Sequence, residues 1–171
     1  MNAAAEGTVE TSGGTTVIRF ERRLAHSVEK VWSALTEPDE LERWLAAAEV
    51  DLREGGDIRL RWLNSDEQGN QAVLNGVITR LEPPRLIEYE GDIHGTLRWE
   101  LRDDDGGCLL TFTSSLPGLE GDMTHMVPAG WHTHLDFLED ALEGGSVDWP
   151  NWPVERWERH DAHYAEQLGR N

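Results

Sequence analysis

Between residues 57 and 115 apolar and polar side chains exchange places at nearly every step. Ile58, Leu60 and Trp62 stand against Asp57, Arg59 and Arg61, and Leu97, Trp99 and Leu101 against Arg98, Glu100 and Arg102. Successive side chains of a strand point to opposite faces of a sheet, so this pattern fits strands with one dry and one wet face, and no helix. "EVDLRE", with Val50 and Leu52 set among charges, precedes the run. "QAVLNGVITRLE", "RLIEYEG" and "CLLTFTSS" bring the series to six strands. The segments between them, such as "NSDEQGN", Pro83–Pro84 and "DDGG", have the length of turns. A parallel crossover needs a dozen residues or more, so these connections dictate an antiparallel meander.

The flanking segments supply what covers that sheet. "TTVIRFERRLAH" alternates Ile18, Phe20 and Leu24 with Arg19, Glu21 and Arg23, which predicts another half-buried strand. Ser27 can cap a helix whose apolar side is Val28, Val31, Trp32 and Leu35. Thr36 serves as the cap of a second short helix, with Pro38 in its first turn and Leu41, Trp44 and Leu45 on its buried side. After the strands, "LPGLEGDMTHMVPAG" reads as a loop, followed by a helix over "PAGWHTHLDFLEDAL" that Gly144 and Gly145 end. At ~100° per residue, Trp131, Leu135, Leu138 and Leu142 share one face of that helix, flanked by Phe137 and Ala141. Asp136, Glu139, Asp140 and Glu143 take the opposite face. A sheet must bury one face, and this apolar arc is the surface able to cover it.

Both ends of the chain lie outside that scheme. Residues 1–14 are small and polar and are expected to be disordered. Residues 146–171 open with two Trp-Pro pairs and continue as a helix carrying Val154, Trp157, Tyr164 and Leu168. Leaving Trp149, Trp152 and Trp157 in water forfeits ~1.5–3 kcal/mol or more for each. The tail is therefore expected to pack on the body or on a second subunit, or to act as a tryptophan lid over a ligand.

Charge and cysteine usage exclude several classes of function. A net charge of −18 argues against nucleic acid and anionic membranes as partners, because phosphate recognition needs clustered Lys and Arg. No apolar stretch approaches the ~20 residues of a membrane span, and the first residues lack the basic start and apolar centre of a signal peptide. One cysteine, Cys108, allows no intrachain disulfide and fits a reducing cytoplasm, the expected location. No basic residue is close to it in sequence, so a structural role is expected.

His132 falls on the acidic side of the long helix and His134 inside its apolar arc. Their rings point roughly 200° apart and cannot share a metal ion. A histidine in an apolar arc either bonds to a backbone carbonyl or orients a ligand. His94 and His125 sit in loop-like segments and are expected to face solvent; His160 and His163 could share a helix face but lack further ligands. No metal site is expected. Glu88 and Glu90 are assigned to a wet face. No nucleophile elbow, phosphate loop, dinucleotide fingerprint or zinc motif is present, so neither a cofactor nor a catalytic residue is predicted.

Five segments in order, "VEKVWSALTEPDELERWL", "VDLREGGDIRL", "GVITRLEPPRLIEYE", "LRWELRDDDGGCLLTFTSS" and "AGWHTHLDFLEDAL", resemble the START-like superfamily, also called SRPBCC. Within it they are similar to the branch homologous to the activator of the heat-shock protein 90 ATPase. The resemblance covers about residues 15–145. It implies an α+β helix-grip fold in β-α-α-β6-α order. A curved seven-stranded antiparallel sheet wraps around the long C-terminal helix, and two short helices follow strand 1. It also implies a cavity between sheet and helix lined by Trp62, Trp99, Phe112, Trp131, His134, Leu135 and Leu138, although each could equally be plain core. The function so implied is binding of a hydrophobic small molecule. A polyketide cyclase or aromatase using the same cavity and a co-chaperone-like interaction domain are the alternatives. Whether the chain is an enzyme stays open, as does a homodimer through the sheet edge or tail.

Overall fold

The computed structural model describes residues 7–64, 68–91 and 95–168. Eight strands, β1 (Thr8–Ser12), β2 (Thr15–Leu24), β3 (Ala46–Val50), β4 (Asp57–Trp62), β5 (Val73–Glu82), β6 (Leu86–Gly91), β7 (Thr96–Asp104) and β8 (Gly107–Pro117), form one antiparallel sheet. Helices α1 (Val28–Thr36) and α2 (Pro38–Trp44) sit between β2 and β3, and α3 (Met123–Leu142) and α4 (Val154–Leu168) follow the sheet. The strand order is β1-β2-β8-β7-β6-β5-β4-β3. The six-strand meander thus runs out from β8 to β3, and β2 closes on β8 with Phe20 opposite Phe112. This is the α+β helix grip that the alternation and the resemblance imply.

Several local expectations change. The sheet has eight strands, not seven, because residues 8–12 are not disordered. They form β1, in register with β2 from Thr8 opposite Arg19 to Ser12 opposite Thr15. Gly13 and Gly14 both take positive φ, 58° and 82°, as a two-residue primed turn demands. Backbone pairing holds this largely polar strand together with Val9 packed on the core and the Thr11–Thr16 hydroxyl contact at 3.0 Å. Ser27 does cap α1, accepting from the Lys30 N–H at 3.1 Å. Thr36 is not a cap; it closes α1, and its hydroxyl donates to the Trp32 carbonyl at 2.8 Å. Leu52 lies beyond the end of β3 and is 43% exposed.

Helix α3 starts at Met123, inside the segment expected to be a loop, and carries Pro128 within it. An internal proline forfeits one backbone bond and ordinarily ends a helix. Tertiary contacts hold the early turns instead: Val127 packs against the core, and His125 pairs with Asp161 of α4 at 2.6 Å. At the other end the Gly145 N–H returns to the Asp140 carbonyl at 2.9 Å, and Gly144 adopts φ 99°.

The apolar arc of α3 lies on the concave face of the sheet, and aromatic rings fill the space between them. Ring centroids are 4.1 Å apart for Trp99 and Phe112 and 4.5 Å for Phe112 and Trp131. Trp44 meets Trp99 edge-on at 5.9 Å and donates its indole N–H to the Ala34 carbonyl at 2.8 Å. Trp99 donates to the Tyr89 hydroxyl at 3.0 Å. The buried indoles thus keep their hydrogen bonds while filling the grip. Leu135, Leu138, Leu60 and Leu74 are completely buried beside them.

The tail returns along the acidic side of α3. Before α4, Trp149 donates to the Glu42 carbonyl at 2.8 Å, Val147 to Arg43 O at 2.9 Å, and the Arg43 guanidinium to Gly145 O at 2.6 Å. Trp149, Trp152 and Trp157 are partly buried against the core. No helix among the described residues is long and apolar enough to cross a membrane.

Leu135→Ala is expected to lower unfolding stability by ~2–5 kcal/mol, as a large-to-small change in a filled core does. Leu52→Ala is expected to stay within about 0.5 kcal/mol. Urea denaturation of both variants measures the difference, and equal midpoints would show that the grip is not packed at Leu135.

Candidate functional site

The grip opens at one end. Trp62 at the end of β4, Asn64 and Ala72 beyond it, and Met126, Val127, Gly130, Trp131 and His134 of α3 enclose a cleft of about 260 Å³. Trp62 occupies an inward position of its strand and Trp131 the apolar arc of its helix, and their rings meet edge-to-face at 6.1 Å. Phe112 and Trp99 stand directly behind Trp131. Two larger depressions, of about 520 and 440 Å³, lie elsewhere. Glu49, Asp51, Asp57 and Arg59 are among the residues lining the first, and Lys30, Glu40 and Arg43 among those of the second. Their charged walls suit an apolar ligand poorly.

Two polar side chains stand in the cleft wall: Asn64, whose Oδ1 is buried with no hydrogen-bond partner among the described residues, and His134. The Nδ1 of His134 lies 3.0 Å from the Trp44 carbonyl oxygen. A carbonyl only accepts, so the hydrogen bond assigns the proton to Nδ1 and leaves Nε2 as a bare acceptor. Burial pushes the ring's pKa down to about 4, against the opposing pull of the Trp44 carbonyl. At neutral pH the ring is uncharged. Phe137 flanks it at 5.7 Å, and Trp149 of the tail covers another side at 6.2 Å.

A second cluster lies across α3. The helical wheel places His132 on the acidic, wet side, yet it is only 3% exposed because α4 covers that side. Its Nδ1 lies 2.9 Å from the Tyr164 hydroxyl, and its ring stacks on that of His160 with centroids 3.7 Å apart. His160 Nε2 reaches Asp136 Oδ2 at 2.8 Å, and Arg22, on the inward face of β2 and 5% exposed, reaches Asp136 Oδ1 at 3.3 Å. Burial, with the neighbouring His160, pushes His132 down to about 4. Burial alone would raise the Asp136 carboxyl; the His160 hydrogen bond and the charge of Arg22 outweigh it and hold it below its ordinary value. The Asp161 hydrogen bond raises His125.

The expectations for individual residues divide accordingly. Of the seven predicted lining residues, Trp62, Trp131 and His134 meet in the cleft. Trp99 and Phe112 form the layer behind it, and Leu135 and Leu138 are fully buried in the core. Asn64, Ala72, Met126, Val127 and Gly130 were missed. Met126 and Val127 fell in the supposed loop, and Asn64 and Ala72 flank a turn. His132 and His134 do point apart, but Asp136 and His160 supply His132 with the neighbours that spacing alone did not reveal. His125 is partnered by Asp161. Glu88 is not simply solvated; Arg98 pairs with it at 3.0 Å and the Thr79 hydroxyl donates to it at 2.8 Å. Cys108 is buried. His94 lies outside the described residues.

Comparisons with known proteins follow the same lines. Residues 25–143 match the family described as activator of Hsp90 ATPase homolog 1-like protein. Among solved structures, CalU16 of Micromonospora echinospora is 26% identical with a TM-score of 0.70, covering 94% of this chain and 96% of its own. A conserved protein of unknown function from Enterococcus faecalis, EF2215, is 21% identical with a TM-score of 0.74, covering 98% and 92%. DynU16, from the dynemicin biosynthetic locus, is 23% identical with a TM-score of 0.64, covering 78% of this chain and 50% of its own. None of the curated proteins matches the sequence.

The depressed His134 value has a consequence for stability. Folded near 4 and unfolded near 6.5, the ring binds its proton first in the unfolded chain, so stability is fully present above about pH 6.5 and is lost as pH falls toward 4. His132 adds a loss of the same sign over the same range. His125, raised by Asp161, contributes with the opposite sign. Proton NMR of the His134 ring should show a midpoint near 4, and His134→Phe should flatten part of the pH dependence between 6.5 and 4. A His134 midpoint near 6.5 would show that the ring stands in water.

Proposed function

The chain belongs to the activator of Hsp90 ATPase homolog 1-like family, and from that membership we propose that it binds a small apolar molecule at the cleft between β4 and α3. The observation that carries this reading is the neutral His134, which presents one hydrogen-bond acceptor in a wall otherwise made mainly of Trp62, Trp131, Met126 and Val127. An apolar cleft with a few uncharged polar groups, here His134 and Asn64, orients a ligand without charge. The volume lies just under the lower end of the usual range for drug-sized ligands, which favours a molecule of one or two rings over a lipid chain. The ligand carries a hydroxyl or amine that donates to Nε2.

A cyclase-like enzyme in the same cleft has weaker support. A base whose conjugate acid titrates near 4 takes up protons poorly at neutral pH, and general bases work best near the ambient pH. A co-chaperone-like role through an apolar surface at Trp149 and Trp152 loses its main argument, since both rings pack on the body.

A matched pair of probes tests the binding reading. 2-Naphthol and naphthalene differ by one hydroxyl, and tryptophan fluorescence reports both. 2-Naphthol is expected to bind about tenfold more tightly, the value of one hydrogen bond of ~1.4 kcal/mol. His134→Phe should erase that preference while leaving naphthalene binding in place. Equal affinities in the wild-type protein, or a preference that survives the substitution, would sink the assignment of His134.

A further inference from the structure

We propose that His132, Asp136 and His160 form a binding site for a divalent transition metal ion of the zinc class, which pins α4 to α3. His132 and Asp136 are four residues apart on α3, so their side chains stand one turn apart on the same face. His160 comes from the facing helix. One ligand atom from each of the three residues lies within 4.8 Å of the others. Bonds of ~2.0–2.2 Å place the ligands of a tetrahedral ion roughly 3.4 Å apart. The His160 Nε2 to Asp136 Oδ2 separation of 2.8 Å is a direct hydrogen bond and has to open by about 0.6 Å to admit the ion. His132 Nε2 stands 3.9 Å from the other oxygen of that carboxylate, Oδ1, so ring and carboxylate have to adjust for it to share an ion with Oδ2.

The arrangement around the three ligands fits the same purpose. A simple histidine–aspartate pair explains His160 and Asp136. It does not explain a second buried imidazole whose Nε2 stands near the same carboxylate but beyond hydrogen-bond reach. Tyr164 Oη holds the other nitrogen of His132 at 2.9 Å, the outer contact that fixes a ligating imidazole. Arg22 holds Asp136 Oδ1 at 3.3 Å, which leaves Oδ2 for the ion, and Glu139 balances Arg22 at 2.6 Å. Asp136 and Glu139 against Arg22 leave one net negative charge beside the site, in a chain of net charge −18.

The largest movement required is a turn of one ring. The His132 and His160 rings are stacked at 3.7 Å and 22°, so their lone pairs run side by side and do not converge. His160, with 15% of its side chain exposed at the rim, is the ring able to turn. Two imidazoles and a carboxylate suit Zn²⁺, Co²⁺ or Ni²⁺, and leave a coordination position to water.

The test uses tag-free full-length protein, dialysed against chelator and then titrated with Zn²⁺ by calorimetry. One ion per chain is expected, with a rise in melting temperature that grows with Zn²⁺ concentration. His160→Gln should weaken binding by at least about tenfold and remove the thermal shift, as should His132→Gln. His160→Gln is the decisive variant, because its partly exposed ring can be replaced without opening the core. His125→Gln, at the neighbouring histidine–aspartate pair, should leave the affinity unchanged. Stoichiometric binding that His160→Gln does not weaken, binding lost with His125→Gln alone, or no binding below millimolar Zn²⁺ would each overturn the proposal.

Discussion

Everything in this fold rests on the aromatic contact between the sheet and α3. Trp99 and Phe112 project from neighbouring strands and Trp131 descends from the helix, with successive ring centroids 4.1 and 4.5 Å apart. Aromatic rings bury more surface than any other side chain, so three of them set both the spacing and the angle of the helix on the sheet. The consequence is that rings occupy the space between sheet and helix along this stack. A cleft opens at the end of the stack, where Trp131 turns from Phe112 toward Trp62. The cleft is therefore a by-product of how the core terminates.

Helix α3 has no wet face over much of its length, and that is what gives its two histidines their character. Its apolar arc meets the sheet. Its acidic arc meets Arg22 from β2 and His160 and Arg156 from α4. Both His132 and His134 are held neutral by burial, but they are satisfied differently. His134 donates to a backbone carbonyl, a fixed partner that leaves one acceptor free. His132 meets a tyrosine hydroxyl and another imidazole, partners whose own state can change. The first environment suits a static recognition group. The second suits a site that can be re-formed around an ion.

How much of this was legible depends on the range of the forces involved. The meander is written in a period of two, a local property, so β4 to β8 could be read from their own residues, whereas β3 runs over Ala46–Val50, earlier than the alternation of Val50 and Leu52 suggests. Ser27 as a cap and Gly144–Gly145 as a stop are equally local. Strand β1 escaped because its polar composition outweighed the Gly13–Gly14 turn, though that pair is itself a hairpin signal. The first turn of α3 escaped because Pro128 reads as a breaker, and only contacts with α4 override it. The filling of the grip could not be read at all. All seven residues expected to line a cavity are buried, but whether they enclose space or occupy it depends on ring orientations across strands distant in sequence.

The burial of His132 marks the same boundary more sharply. A helical wheel sorts side chains into dry and wet on the assumption that one face of a helix meets the core. That assumption fails when a second helix crosses the charged face, as α4 does here, and it fails in a predictable direction. Charged residues covered in this way must find partners, because isolated buried ions are costly. The tail accordingly brings His125–Asp161, His160–Asp136 and Arg156–Asp140 contacts to that interface. Read backwards, a tail carrying His160, His163 and Arg156 opposite a helix carrying Asp136 and Asp140 is the complementarity that a sequence could have offered. Apolar periodicity does not register it, since the pairing resides in charge across two helices and not in the pattern of either one.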